Sequence, residues 1–312
     1  MTNLIFSKAL SMHVTTYEIL NDRGRNLVLL LNELFDFILD YINSDKLEIH
    51  FELMNGKQRT LKFNKKNLNM AYDHLLQGNM QRLIIFYPAE YEGNSSTCDS
   101  EFIYLHYPSL FKVAIGCNLA ATYPKHFINN FFNDFNISLN ERLFNNYIHT
   151  PIQTKFIELF KKAIVSLKAV TGYITYESES VDTPMTSTFE DHWGLNIFQL
   201  PGYTHRLRGY HWANYLSQQH VEILGGLDFI QRNAPCPLVE TITNHEHLGV
   251  YLQLTKDVND YSDENLIKLR KFLWPLLNVD ENKFEVLHGK PRIINYESGR
   301  TIRLVEPHTQ LA

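Results

Sequence analysis

The chain has 312 residues, 44% of them hydrophobic and 13% aromatic, with 17 Tyr and 20 Phe. A chain of this size buries roughly 75% of its unfolded surface, so it is not a disordered polymer, and it can form one large domain or two smaller ones. Charged residues are 20% and the net charge is -5. That balance argues against a nucleic-acid partner and is compatible with a basic protein partner, since complementary fields speed encounter.

The first strong element spans Arg25 to Tyr41, where Leu27, Leu30, Leu31, Leu34, Ile38 and Tyr41 recur at helical spacing. A hairpin follows. Leu47 to Leu53 alternates polar with apolar, Asn55-Gly56 is a turn dipeptide, and Thr60 to Phe63 returns. Asn67 to Leu76 reads as a helix that stops near Gly78, and Arg82 to Tyr87 as an apolar strand that stops at Pro88. Residues 88–100 hold Glu90, Gly93, Asn94, Ser95 and Ser96 and form a polar loop. This loop marks a candidate boundary between an N-terminal α/β segment, 1–88, and a larger α+β domain, 100–312; one continuous domain stays open.

Beyond it, Phe102 to Tyr107 and Phe111 to Cys117 read as paired strands. Pro124 to Phe135 reads as a helix with proline in its first turn. Thr150-Pro151 opens another helix, expected to run to about Val170 and to end at Gly172, with a strand from Tyr173 to Tyr176. His211 to Leu224 reads as a helix terminated by Gly225-Gly226. Val250 to Leu254 is a short apolar strand. Asn265 to Leu276 is a helix capped by Ser262 or Asp263 and ending or kinking at Trp274-Pro275. Ile293 to Tyr296 and Ile302 to Val305 are strand-like.

Helices and strands mix without strict βαβ alternation, and several strands carry one wet face. The expected class is therefore α+β, with mostly antiparallel sheets packed against helices. The order strand, strand, helix in both parts leaves open two similar α/β halves.

Chemistry leaves little trace. Cys98, Cys117 and Cys236 are odd in number and contain no C-x-x-C pair, so they read as reduced thiols of a cytosolic protein. Cys117 ends an apolar run and is expected to be buried. Met1 to Leu10 carries a short apolar patch without the pattern of a signal peptide, and no run approaches the length of a membrane span. The tightest histidine set is His245-Glu246-His247, with His205, His211 and His220 upstream. No H-E-x-x-H or G-x-S-x-G motif occurs. On a shared helix, His211 and His220 would point about 180° apart and could not hold one metal. No catalytic residue, metal or cofactor is expected.

Partner contact is the stronger reading. The loop 177–191 holds Glu177, Glu179, Asp182, Glu190 and Asp191, which can occupy a cationic cleft or simply be solvated. Trp193, Tyr203 and Tyr210 lie in Gly- and Pro-containing connections, where interface anchors often sit. Asp257, Asp260, Asp263 and Glu264 read as helix-start residues.

From about residue 100 onward the pattern resembles a known family. The residues that carry the resemblance are Leu207 to Leu216, containing Gly209, Trp212, Asn214 and Leu216 in a G-x-x-W-x-N-x-L order, then His220 to Gly226, a helix ending in L-G-G. Leu248 to Leu254, Asp260, and the helix reaching Trp274-Pro275-Leu276 follow in the family's order, and Phe156 to Leu167 with Thr171-Gly172-Tyr173 precede. This is similar to the type VI immunity family of bacterial polymorphic-toxin systems. The resemblance covers about two thirds of the chain and leaves out 1–85. It implies a cytoplasmic, non-enzymatic immunity protein, an antitoxin in interbacterial competition. Its partner would be a cognate toxin delivered by a type VI secretion system, with nuclease-like or nucleotide-modifying chemistry suited to the cytoplasm. The motif residues themselves read as scaffold: Gly209 permits a turn, Trp212 packs, and Gly225-Gly226 ends a helix. The alternatives are a metal-dependent enzyme using His245, Glu246 and His247, and an adaptor with no toxin.

Overall fold

The computed structural model describes residues 8–87, 109–117, 132–178, 205–207, 209–244, 247–260, 262–277, 292–295 and 301–304. The chain divides into two compact units, Met1–Ala169 and Val170–Ala312. The fold is α+β, with antiparallel strand pairing throughout the named ladders.

The first unit contains strands β1 (Lys8–Thr16), β2 (Glu48–Leu53), β3 (Gln58–Lys62), β4 (Met80–Tyr87), β5 (Phe111–Gly116) and β6 (Asn133–Asn140). Within this unit they lie in the order β3-β2-β4-β5-β6-β1. Its helices are α1 (Gly24–Ile38), α2 (Lys65–Leu76) and α3 (Thr150–Ser166). The alternation read in β2 is real: Ile49, Phe51 and Leu53 are buried, while the residues between them are half-exposed. The same inward row continues as Leu83 and Ile85, Val113 and Ile115, Phe135 and Ile137, Met12 and Val14. Helix α1 meets this layer with Leu27, Leu30, Leu31, Leu34 and Ile38, and α3 contributes Phe156, Leu159, Phe160 and Ala163. Burying each large side chain contributes roughly 1.5–3 kcal/mol. Polar ties set the helices against one another. Tyr72 Oη donates to Asn32 Oδ1 at 2.9 Å, and Asn26 Nδ2 donates to Ser166 O at 2.9 Å.

The second unit contains β7 (Thr171–Ser178), β8 (Ala213–Leu216), β9 (Leu238–Asn244) and β10 (His247–Gln253), in the order β7-β8-β10-β9. Helices α4 (Gln218–Ile223), α5 (Leu227–Asn233) and α6 (Asp263–Leu273) accompany them, and β11 (Arg292–Asn295) pairs with β12 (Thr301–Leu304). Strand, strand, helix recurs as β2-β3-α2 in one unit and β9-β10-α6 in the other.

Several expectations need correction. His211 to Leu224 is not one helix. It is strand β8 followed one residue later by α4. Asn133 to Phe135, expected at a helix end, opens strand β6, and 118–131 lie outside the described residues. Strand β5 is flanked on both sides, by β4 and β6, so over 111–116 it has no free side for the expected Phe102–Tyr107 partner, which lies outside the described residues. Helix α3 stops before Gly172: Lys168 takes a left-handed φ of 51°, and Gly172 sits inside β7. Ser262 does precede α6, without a side-chain cap bond. The candidate boundary at 88–100 falls outside the described residues. Gly225 and Gly226 do end α4, at φ 99° and 93°, values an L side chain rarely adopts.

Candidate functional site

The motif segment forms an internal frame in the second unit. His211 N donates to Asn214 Oδ1 at 3.2 Å, and Asn214 Nδ2 returns to His211 O at 2.7 Å. This reciprocal pair closes a tight loop that feeds the chain into β8. Trp212 is fully buried, and its indole N–H donates to Thr255 Oγ1 at 2.8 Å. The Thr255 hydroxyl donates in turn to Asp257 O at 2.6 Å. Beside it, Tyr251 Oη donates to Gln253 Oε1 at 2.7 Å, and Gln253 Nε2 donates to Thr255 O at 2.8 Å. The polar side-chain atoms of Trp212, Asn214, Tyr251, Gln253 and Thr255 are thus paired inside the unit, as a low-dielectric interior favours.

His220 completes the frame. Its ring is fully buried on α4. Nδ1 accepts from Ser217 N at 3.2 Å, so the proton sits on Nε2, which donates to Arg206 O at 3.2 Å. The imidazole takes the place that a glutamate usually holds in a capping box. His211 stacks on Tyr173, with ring centroids 3.8 Å apart and planes 15° apart. Both histidines are therefore core residues, and only His220 lies on a helix, so the helical-face argument about the pair does not apply. Gly249 lies across from this layer, and a Cβ there would come within 2.4 Å of the Tyr215 ring. The G-x-x-W-x-N-x-L segment thus works as scaffold.

Most expected contact residues fall outside the described part of the chain. Glu179, Asp182, Glu190, Asp191, Trp193 and Tyr203 are outside the described residues, and Glu177 is on β7 with its side chain also outside. Tyr210, expected as an exposed anchor, is 6% exposed and belongs to the core. Trp274 is half-buried, with the Arg270 guanidinium 5.1 Å from its ring centre.

The second acidic set behaves as local structure. Asp257 Oδ1 accepts from Asn259 N at 2.8 Å, and Glu264 pairs with Lys268 at 2.7 Å, which holds its carboxyl below the usual carboxylate range.

His245 and Glu246 are outside the described residues, and His247 opens β10. Among the described residues no group of three or more His, Cys, Asp or Glu could hold a metal. Cys117 is buried, and burial, with the Asp134 charge, pushes its thiol far above the ordinary value. Burial pushes Cys236 up to about 12. Neither thiol has the electropositive, exposed setting of a nucleophile. Cys98 lies outside the described residues. No helix among the described residues is long and apolar enough to cross a membrane.

What remains is surface. In the second unit Ile223, Phe229 and Leu238 are exposed, with Phe229 stacked 6.4 Å from Phe272. In the first unit Leu29, Tyr41, Leu76 and Tyr147 are exposed, and a shallow groove on α2 is lined by Lys65, Lys66, Asn69, Met70 and Asp73.

No protein family matches the chain, and no curated protein matches it in sequence. Among solved structures the fold is similar to that of the Pseudomonas aeruginosa T6SS protein PA0821. The TM-score is 0.58 and the identity 11%, over 88% of this chain and 81% of that one. At that identity the likeness is one of fold.

Proposed function

We propose that the chain is an immunity protein that binds and neutralises a cognate toxin in the cytoplasm, with no catalytic step of its own. The observation that carries this reading is the fold shared over 88% of the chain with a T6SS protein of Pseudomonas aeruginosa. The order of residues in 207–226, which resembles that of the type VI immunity family, agrees with the same reading. The buried Cys117 thiol, the half-buried Cys236 thiol and the hydrogen-bonded frame around Trp212 are consistent with a binding scaffold. The toxin is proposed to be a type VI secretion effector. Co-expression tests this. The effector encoded beside this chain should arrest growth when produced alone, and growth should return when the chain is produced with it. Continued arrest with both proteins present and soluble would remove the immunity reading.

A further inference from the structure

We infer that the free edge of β3 is a docking strand for an acidic, extended segment of a partner protein, which adds to the sheet by main-chain pairing. The inference holds whether or not that partner is a toxin.

The edge is open. Strand β3 ends the sheet order of the first unit, and four of its five residues are exposed. The phase of its ladder is fixed by two backbone bonds. Leu53 N donates to Lys57 O at 2.9 Å, and Phe63 N donates to Leu47 O at 2.9 Å. In an antiparallel pair the bonded rows alternate, so Phe51/Arg59 and Ile49/Leu61 are the bonded rows between them. Gln58 and Thr60 therefore aim their N–H and C=O groups away from β2, toward solvent. Lys62 O is already taken by Asn67 Nδ2 at 2.7 Å, which closes the edge at that end.

The charge names the occupant. Residues 57–66 contain Lys57, Arg59, Lys62, Lys65 and Lys66 and no acidic residue, in a chain whose net charge is -5; Lys62 is paired with Glu48 of β2 at 2.7 Å, so the charge offered to a partner is that of Lys57, Arg59, Lys65 and Lys66. Arg59 reaches α2 with Nη1 3.5 Å from Met70 Sδ, and the α2 groove beginning at Lys65 and Lys66 adjoins it. Alternate side chains of an added strand would lie over that groove at its Lys65 and Lys66 end, next to Arg59, with the Asp73 carboxylate at the far side of the lining. Lysines on an edge strand commonly serve to block edge pairing. Here like charge repels the β3 edge of a second copy of the chain, while the same charge attracts an acidic strand.

The test uses the full chain and a short fluorescent peptide of alternating Glu and Thr, read by anisotropy at low and high salt. The peptide should bind, and an otherwise identical Lys/Thr peptide should not. Thr60→Pro removes an outward N–H while leaving the rows bonded to β2 and should weaken binding on the order of tenfold. Thr60→Val loses only the hydroxyl contact to His50 and should bind as the parent does. The double variant Lys57→Glu, Arg59→Glu should also weaken binding about tenfold or more. Should Thr60→Pro fail to fold, the peptide N-methylated at alternate residues gives the same information from the ligand side, and its failure to bind supports main-chain pairing. Equal binding of the methylated and parent peptides overturns the inference. So does tighter binding of a single-stranded DNA oligonucleotide, which would make the run a nucleic-acid patch.

Discussion

At position 249 there is no room for a side chain: the nearest atoms a Cβ would meet belong to the phenol of Tyr215, itself almost fully buried. Gly249→Ala forces that ring or its strand to move and should cost about 1–3 kcal/mol in urea denaturation, the usual range for overpacking. Tyr215 also carries a pH signature. Burial raises its hydroxyl from 10.0 to about 12. A folded value above the unfolded one means that the native state holds this proton more tightly, so the stabilisation is whole below about pH 10 and is lost as pH climbs through about 12. Stability should therefore fall across that window, by an amount on the order of 1–3 kcal/mol from this group. Tyr72 and Tyr251 are raised further and add in the same direction at higher pH. Tyr215→Phe should flatten the part of the curve between pH 10 and 12, measured as denaturation midpoints at several pH values. An unchanged slope would mean that Tyr215 is more solvated than its burial indicates.

Among the elements, α4 has only six residues, far too few to be helical alone, so its existence depends on what holds its start. That is His220, whose ring bonds Ser217 N on one side and Arg206 O on the other. His220→Ala leaves both groups without that partner and opens a void. It should destabilise the chain by about 2–4 kcal/mol in thermal melting. His220→Gln, which can still reach back to Ser217 N, should recover part of the loss; equal damage from both variants would assign the effect to volume alone. The same region shows where sequence reading stops. Helix α1 and the β2-β3 hairpin were legible because their apolar residues keep one period over a full element. Strand β8 was not, because its four residues are all buried and so show no alternation, and the apolar spacing of α4 begins one residue later. Strand β6 was hidden by Asn133, Asn136 and Asn140, poor strand formers whose polar side chains the sheet accommodates, while Pro124 pointed to a helix. Helix α5 and strand β9 gave a weak signal: Leu238 and Ile242 share one face of β9, but Val239 falls on the other and blurs the alternation. The scaffold role of the Trp212 segment could be read in advance, but the burial of Tyr210 could not, since a turn-rich setting suits an exposed ring and a buried one equally.

Seen whole, the molecule has two antiparallel cores, each with its own helices. The net charge of -5 concealed the basic run at 57–66, because composition averages over the chain. A signed ten-residue window would have found it. The proposed role places function on the outer surfaces, with affinity for one partner as the whole activity. Such a role requires a specific interface, which for a stable complex exceeds roughly 1,000 Å². Calorimetric titration of the purified chain with the product of the adjacent gene, the proposed effector, measures this directly. The account predicts saturable binding with a Kd on the order of nanomolar or tighter, together with loss of the effector's activity at saturation. Absence of binding at micromolar concentration, or consumption of the effector by turnover at substoichiometric amounts of the chain, would contradict it.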